Sequence, residues 1–367
     1  ADRSGRLADK TARPWGLGMS ARMTPPAVAQ IVFQNAPGSF RAVALDSKGR
    51  ALRLFLRRWN GVGERARFGS VHQARIRAFA DTLRGAFLEL ESGEEVFLRL
   101  SDRADLTEGA RLSVQVQSEK RAGKLTRVSI VGTLPSAHDA YQNWLDTLCQ
   151  GSLLPQDEAP DQVDAAFDLA LQSSVTLPGG GRLHIDRTRA LSAFDIDTAG
   201  RVGKGSAAAR ALHINRAAVQ EMARQVCLRG LGGTLVLDCV APLNANTRDR
   251  LHADARAAMS AYDLSGAQVL KPSAIGLLQV SLPWTVTPLA DLLEEDPAET
   301  QLLALLRSLD RTAKSAPNSL LTLALSDPDW RAYSDHKAAT DKALQSHLHG
   351  RVNVVRSGNE RSETVLR

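Results

Sequence analysis

The sequence predicts a mixed α/β, multidomain (α+β) protein: a small β-barrel, a larger α/β unit and a small C-terminal α/β domain. Three observations lead there. Residues 27–131 hold short alternating runs separated by glycine turns. Residues 175–285 alternate apolar strand patterns with long helical ones. The last part of the chain repeats helix and strand patterns on a smaller scale. A chain of 367 residues allows two or three such units, each with its own core.

Taken in order, residues 1–26 are rich in Arg and Gly, lack periodicity and carry no apolar signal-peptide core. They read as a flexible N-terminal extension, with Met19 or Met23 as a candidate start. Strand patterns follow at 27–33, 40–45, 51–57, 71–78, 86–90, 96–100, 111–116 and 124–131. Turn signals such as Asp46-Ser47-Lys48-Gly49, Asn60-Gly61 and Ser92-Gly93 separate them, so 27–135 reads as one barrel region. Residues 136–174 read as a helical linker, with helical apolar spacing at 138–148 and 162–171 around an acidic stretch at 156–161.

The α/β unit spans 175–286. It opens with a hairpin turning at Pro178-Gly179-Gly180-Gly181, and an apolar strand at 190–196 runs into Asp195-Ile196-Asp197. A glycine-rich loop leads into a helix over about 207–228, closed by Gly230 and Gly232-Gly233. The strand 234–237 ends at Asp238, and a helix at 247–262 and a strand at 267–270 follow. In 287–367 the pattern gives helices at 298–314 and 329–347 and strands at 319–325, 352–355 and 363–366.

The net charge of +6 is unevenly placed. Residues 1–135 hold 23 Lys+Arg against 13 Asp+Glu; the remainder holds 23 against 27. A basic first third on a slightly acidic body suggests one part that grips a polyanion, although a merely solvated basic surface has the same composition. Cys149, Cys227 and Cys239 form no CxxC pair, which argues against a disulfide framework or a cysteine zinc site and fits the reducing cytoplasm. Cys227 and Cys239 sit among apolar residues, as small buried hydrophobes do. No run of about 18 apolar residues suggests a membrane helix.

Three constellations can carry chemistry. Asp195 and Asp238 each end an apolar strand, and the helix between them makes a strand–helix–strand unit. That brings both carboxylates to one sheet edge, where α/β folds build sites. Paired carboxylates suit a hard divalent cation, Mg²⁺ or Mn²⁺, that activates water and offsets phosphodiester charge. Asp197 shares the strand face of Asp195 if the strand continues. Aspartates in such places also cap helices and start loops. The second constellation is the loop Gly200–Ser206, where Arg201 and Lys204 could add charge to a phosphate-binding helix N-terminus; a solvated loop is the alternative. The third is the barrel, with Phe87 and Phe97 on neighbouring strands and cations including Arg121 and Lys124 nearby. Aromatic faces framed by cations hold single strands on OB-type barrels, while barrel phenylalanines can equally be core. No convincing Ser/His/Asp or Cys/His set exists, and His184, His213 and His252 read as surface or locally bonded residues.

The residues also resemble a known family. Gly69–Ile76, Gly85–Leu90 and Val96–Leu98 resemble the S1 RNA-binding domain, an OB-type barrel, of the ribonuclease E/G family. Leu177–Gly181 and Ile185–Leu191 resemble the lead-in to that family's catalytic strand, and Phe194–Ala199 its catalytic motif. Ala223–Gln225, Leu228–Gly233, Leu235–Asp238 and Ser273–Leu278 continue the series in order. The resemblance implies a deoxyribonuclease-I-like catalytic domain in which Asp195 and Asp238 hold Mg²⁺ for attack on single-stranded RNA. Phe87, Phe97 and a cation near Arg121 or Lys124 would hold the strand.

Departures shape the expectation. The family's Asn in the catalytic strand is Asp197 here. No Cys lies at 287–297, where the family's paired-cysteine zinc link should fall, so no zinc and no zinc-linked dimer are expected. Only about 45 residues stand between the barrel and Leu177, where the family carries a ribonuclease-H-like subdomain and a 5′-end sensor. A reduced member without that sensor is implied. The expectation is an endoribonuclease of rRNA or mRNA processing. A catalytically weak or inactive RNA-binding, ribosome-associated protein is the alternative, and a phosphoesterase of small substrates would leave the basic barrel without a purpose.

Overall fold

The computed structural model describes residues 27–59, 65–100, 106–121, 123–132, 140–149, 154–198 and 206–366. The expected extension at 1–26, and Arg201 and Lys204 of the glycine-rich loop, lie outside the described residues.

Residues 28–58, expected in the barrel, form a separate sheet. Strands β1 (Val28–Ala36), β2 (Ser39–Asp46) and β3 (Ala51–Arg58) make an antiparallel meander. The reason is legible in β2, where seven of eight residues are buried. A barrel wall keeps one face wet, whereas a strand covered on both faces needs a layer on each side.

The barrel itself closes on five strands: β4 (Val71–Ala80), β5 (Gly85–Leu90), β6 (Glu95–Arg99), β7 (Arg111–Ser118) and β8 (Thr126–Ile130), in the order β4-β5-β6-β8-β7. Ile76, Ala86, Leu88, Val96, Leu98, Val114, Val116 and Val128 fill its interior.

The segment expected as a linker covers the first sheet instead. Helix α1 (Ala140–Cys149) packs Tyr141, Trp144 and Leu145 against Ile31, Ala42 and Phe55 on one face. Strand β9 (Gln156–Glu158), expected as an acidic linker, pairs parallel to β1 and completes the order β3-β2-β1-β9. Helix α2 (Pro160–Leu171) packs Val163, Ala166 and Phe167 against Val32, Val43 and Leu56 on the other face.

The third unit is a six-stranded sheet. Its members are β10 (Ser174–Thr176), β11 (Arg182–Arg187), β12 (Leu191–Asp197), β13 (Gly233–Asp238), β14 (Gln268–Val269) and β15 (Leu277–Leu282). The strand order is β10-β11-β12-β13-β15-β14. Helix α3 (Ala207–Arg229) links the parallel pair β12 and β13, and α4 (Ala245–Ala261) follows β13. Both helices pack on one face through Leu212, Val219, Met222, Val226, Leu251 and Met259, over Leu183, Phe194, Leu235, Leu237 and Val280. The α3 boundaries are those its caps dictate. The Ser206 hydroxyl accepts from the Ala209 amide, and Gly230 takes the left-handed conformation at φ 69°.

The remaining elements are α5 (Leu289–Glu294), α6 (Pro297–Ser315), β16 (Leu321–Leu325), α7 (Asp327–Asp335), α8 (Lys337–Leu348), β17 (Val352–Arg356) and β18 (Glu363–Leu366). The sheet order is β17-β16-β18, with helices packed on it through Leu302, Leu306, Leu309, Ala332 and Leu344. The single helix expected over 329–347 breaks at His336, whose ring stacks on Trp59 at 5.7 Å and lies 3.7 Å from the Asp296 carboxylate. Tertiary contacts there outweigh helical continuity. Among the described residues no helix is long and apolar enough to cross a membrane.

Buried Glu119 is central to the junction between the barrel and the body, where Arg67 also donates to the Leu56 carbonyl at 2.7 Å. Buried Glu119 accepts from the Phe68 amide at 3.0 Å and the Thr287 amide at 2.9 Å. The Glu119 amide donates to the Thr285 carbonyl at 2.8 Å, and Arg65 pairs with Glu295 at 2.8 Å.

Candidate active site and nucleic-acid interface

The carboxylate pair is built by register. The parallel ladder between β12 and β13 runs from Leu191↔Thr234 to Phe194↔Leu237, and the next residues are Asp195 and Asp238. Phe194 and Leu237 point into the core, so alternation turns both aspartates to the opposite, open face, where both are exposed. Adjacent strands lie about 4.8 Å apart, so the two carboxylates stand side by side at the sheet edge.

Asp197 lies two residues further on the same face, opposite Arg182 of β11. Gly181 makes room for the strand there: a Cβ on it would stand 2.6 Å from the Asp197 carbonyl oxygen, and its φ is +78°. Among the described residues no group of three His, Cys, Asp or Glu side chains is arranged to hold one metal. A cation at Asp195 and Asp238 would rest on two carboxylates, completed by water and phosphate, which is the donor set Mg²⁺ accepts.

The surroundings hold residues that sequence reasoning did not assign to the site. His184, half-buried, is the cross-strand neighbour of Asp195 on β11. Its signal was the hairpin alternation, which puts residues 182, 184 and 186 on the open face. Asn215 of α3 is fully buried and grips the chain just beyond Asp238. Its amide donates to the Val240 carbonyl at 3.0 Å and its oxygen accepts from the Val240 amide at 2.8 Å. Arg248 sits in the second turn of α4, with its Nε buried and without a partner among the described residues. His252 is spent locally, on the Val269 carbonyl at 3.0 Å.

Cys227 and Cys239 are buried, as expected. Burial first, opposed by a backbone hydrogen bond with Leu278 and aided by nearby Asp238, pushes the Cys239 thiol up to about 12. It is no nucleophile at neutral pH.

On the barrel, alternation decides what composition left open. Ala86, Leu88, Val96 and Leu98 face inward; Phe87 and Phe97 face outward, half-buried. They are direct cross-strand partners with ring centroids 5.5 Å apart. Gly85 leaves the space for this: a Cβ there would stand 2.3 Å from the Phe97 ring. The register sets exposed Arg127 of β8 beside Phe97. Sequence reasoning missed Arg127 because only barrel closure makes β8 a neighbour of β6.

Arg121 and Lys124, the cations expected at the interface, face each other in an isolated bridge. Lys124 is exposed, but the Arg121 guanidinium lies over the Trp284 ring, 4.6 Å from its centroid. Burial and then Arg127 hold Arg121 below its ordinary pKa. In this arrangement Arg121 packs the barrel onto the body. Trp284 in turn lies against Gly232 and Gly233, where a Cβ would meet its ring at 2.9 Å.

The model of the ribonuclease E/G family matches residues 159–282, a segment that contains both aspartates. Ribonuclease E of Escherichia coli is 34% identical over 120 residues, covering 33% of this chain and 11% of that protein. Ribonuclease E of Haemophilus influenzae is 35% identical over 120 residues, 33% of this chain and 13% of its own length. Ribonuclease G of Escherichia coli is 34% identical over 119 residues, 32% of this chain and 24% of that protein. The matched part thus spans between about a tenth and a quarter of these relatives, and β12, α3 and β13 lie inside it.

Proposed function

Through residues 159–282 this chain belongs to the ribonuclease E/G family, and on that premise we propose that it is a metal-dependent endoribonuclease hydrolysing phosphodiester bonds in single-stranded RNA. The observation that carries the reading is the register: two carboxylates at the same level on adjacent parallel strands, on an open sheet face, inside the matched segment.

Asp195 and Asp238 would hold Mg²⁺, with Mn²⁺ a possible substitute, and the bound ion would supply an activated water and charge neutralisation at the phosphodiester. The chain's own residues do the positioning. Asn215 fixes the backbone that follows Asp238. His184 stands beside Asp195, and Asp197 adds a third negative charge on the same face. The N-termini of α3 and α4 follow the ends of β12 and β13, so their partial positive charge favours a phosphate at that edge. Arg201 and Lys204 would add to it from the preceding loop.

The barrel, read as an S1-like module, would hold the strand. Phe87 and Phe97 supply stacking faces, with Arg127 and Lys124 as backbone cations. The Glu119 junction fastens this module to the chain at Thr287. The six-stranded sheet is proposed as the deoxyribonuclease-I-like catalytic unit, and 287–367 as the small C-terminal domain. Arg187–Asp291 and Arg65–Glu295 tie α5 and the residue after it to the rest, in the stretch where the family carries its zinc link, so the proposal includes no zinc-linked dimer.

The test is cleavage of a labelled single-stranded RNA with and without Mg²⁺. D195N and D238N should each lose cleavage by at least about 100-fold, a barrier change of ~2.7 kcal/mol, while RNA affinity stays within about threefold. The second reading, an RNA-binding protein without catalysis, is favoured by Asp197 in place of the family's Asn. It gains if the unaltered protein cuts no RNA in either cation.

A further inference from the structure

Away from the carboxylates, Arg41 of β2 and Arg307 and Arg311 of α6 gather around Asp164 of α2, with Asp168 also acting on Arg41. Buried Arg41 of β2 donates to Asp164 of α2 and also to the Gln34 side chain. Arg311 of α6 donates to the other oxygen of the same carboxylate. Both oxygens of Asp164 are therefore in use.

Arg307 lies one helical turn before Arg311, on the same side of α6. Its surroundings include Arg41, Asp164, Arg311 and Arg58. Among the described residues it makes no hydrogen bond or ion pair. Arg58 does not spare an acid, since Glu299, the Thr300 hydroxyl at 2.9 Å and the Leu292 carbonyl at 3.0 Å occupy it. Burial first, and then Arg41, push the Arg307 guanidinium down to about 10, against the opposing pull of Asp164. A half-buried guanidinium that keeps its donors open to solvent, beside two further arginines and one already occupied carboxylate, is arranged to take an anion.

We propose that Arg307, with Arg41 and Arg311, forms an oxyanion site at the junction of β2, α2 and α6 that takes a phosphate group. The planar forks of Arg307 and Arg311, one turn apart, offer paired N–H donors to different oxygens of one phosphate. Arg311, with 43% of its side chain exposed, forms the mouth. A phosphate there offsets the guanidinium charge that Asp164 and Asp168 leave over, without stripping Asp164 from Arg41. The site is separate from Asp195 and Asp238 and stands whether or not the chain cuts RNA.

The test is a phosphate titration of the full chain at constant ionic strength, with chloride as the balancing anion. Inorganic phosphate about tenfold above its Kd should raise Tm by about 2–4 °C, and its ³¹P resonance should broaden. In R307M, which keeps the aliphatic packing, and in R311Q at the mouth, both effects should fall to the level of nonspecific salt stabilisation. Equal shifts and equal broadening in the unaltered protein and both variants would overturn the proposal, as would no broadening in the unaltered protein. Short single-stranded RNA, added in the D195N background, then identifies the source. Restored ³¹P sharpness assigns the site to a backbone phosphate, and unchanged broadening assigns it to the free ion.

Discussion

Replacing Asn215 by alanine removes the clamp on the backbone beyond Asp238. Asn215 is 0% exposed and makes two hydrogen bonds to one residue, at 2.8 and 3.0 Å, to the amide and carbonyl of Val240. Alanine leaves both backbone groups without that partner in a half-buried place. At roughly 1–3 kcal/mol for each unsatisfied group, and with some relief from water, the cost is about 2–4 kcal/mol. For a cooperative unit of this size that lowers Tm by about 5–10 °C. N215D is no rescue: its oxygen still accepts from the Val240 amide, but it loses the donor and buries a charge. The functional consequence is local. The strand end carrying Asp238 loses its outer anchor, so Mg²⁺-dependent cleavage should fall by about tenfold or more while barrel-mediated RNA affinity holds. Thermal denaturation, anisotropy and cleavage on the same preparation read all three. An N215A protein with unchanged Tm and full cleavage would refute the claim that this clamp positions the site.

F97A should weaken single-stranded RNA binding by about 1–3 kcal/mol, roughly 5- to 150-fold, with cleavage at saturating RNA little altered; anisotropy titration checks it, and unchanged affinity removes Phe97 from the interface. G85A should weaken binding too and also lower Tm, because the added Cβ falls 2.3 Å from the Phe97 ring and 2.5 Å from the Leu98 carbonyl oxygen, so both the ring and the β5–β6 pairing must shift. For buried Asp46, burial raises the carboxyl pKa, but hydrogen bonds from the Arg50 and Lys48 amides and the Arg50 side chain outweigh it and hold it below the usual value. A depressed folded pKa means stability that is present above the unfolded value of about 3.9 and lost as pH falls through the folded one. D46A should therefore be less stable at pH 7, with the gap closing below about pH 4 in denaturant titrations; a gap constant down to pH 2 would contradict this. W284A should loosen the barrel on the body and free Arg121, which limited proteolysis between 119 and 131 would detect as faster cutting.

The local signals were strong where one residue type has one job. Ser206 and Gly230 mark the ends of α3 because a hydroxyl satisfies a free amide and glycine alone enters the left-handed region cheaply. Apolar runs ending in Asp195 and Asp238 are readable as strands closing at an edge. Alternation, applied to β5 and β6, is enough to turn Phe87 and Phe97 to the same face once one inward neighbour is known. The signals failed where the same pattern serves two architectures. β1, β2 and β3 read as barrel strands because period-two alternation and turns say nothing about which sheet a strand joins. Burial of β2 on both faces by α1 and α2 is a tertiary fact. The acidic Gln156–Glu158 reads as a linker because an exposed edge strand of three residues has no apolar period to detect.

The sequence by itself determined most strands and the long helices, the glycine close of α3 and the two strand-end carboxylates, since these depend on interactions a few residues apart. The tertiary structure alone decided the rest. It set Asp195 level with Asp238, because register depends on how α3 returns the chain. It placed His184 beside Asp195 and Arg127 beside Phe97, because only pairing makes those residues neighbours. It spent Arg121 on Trp284 and left Arg307 without a hydrogen-bonded acid among the described residues, because a charge is paired or unpaired only in space, between residues that lie far apart along the chain.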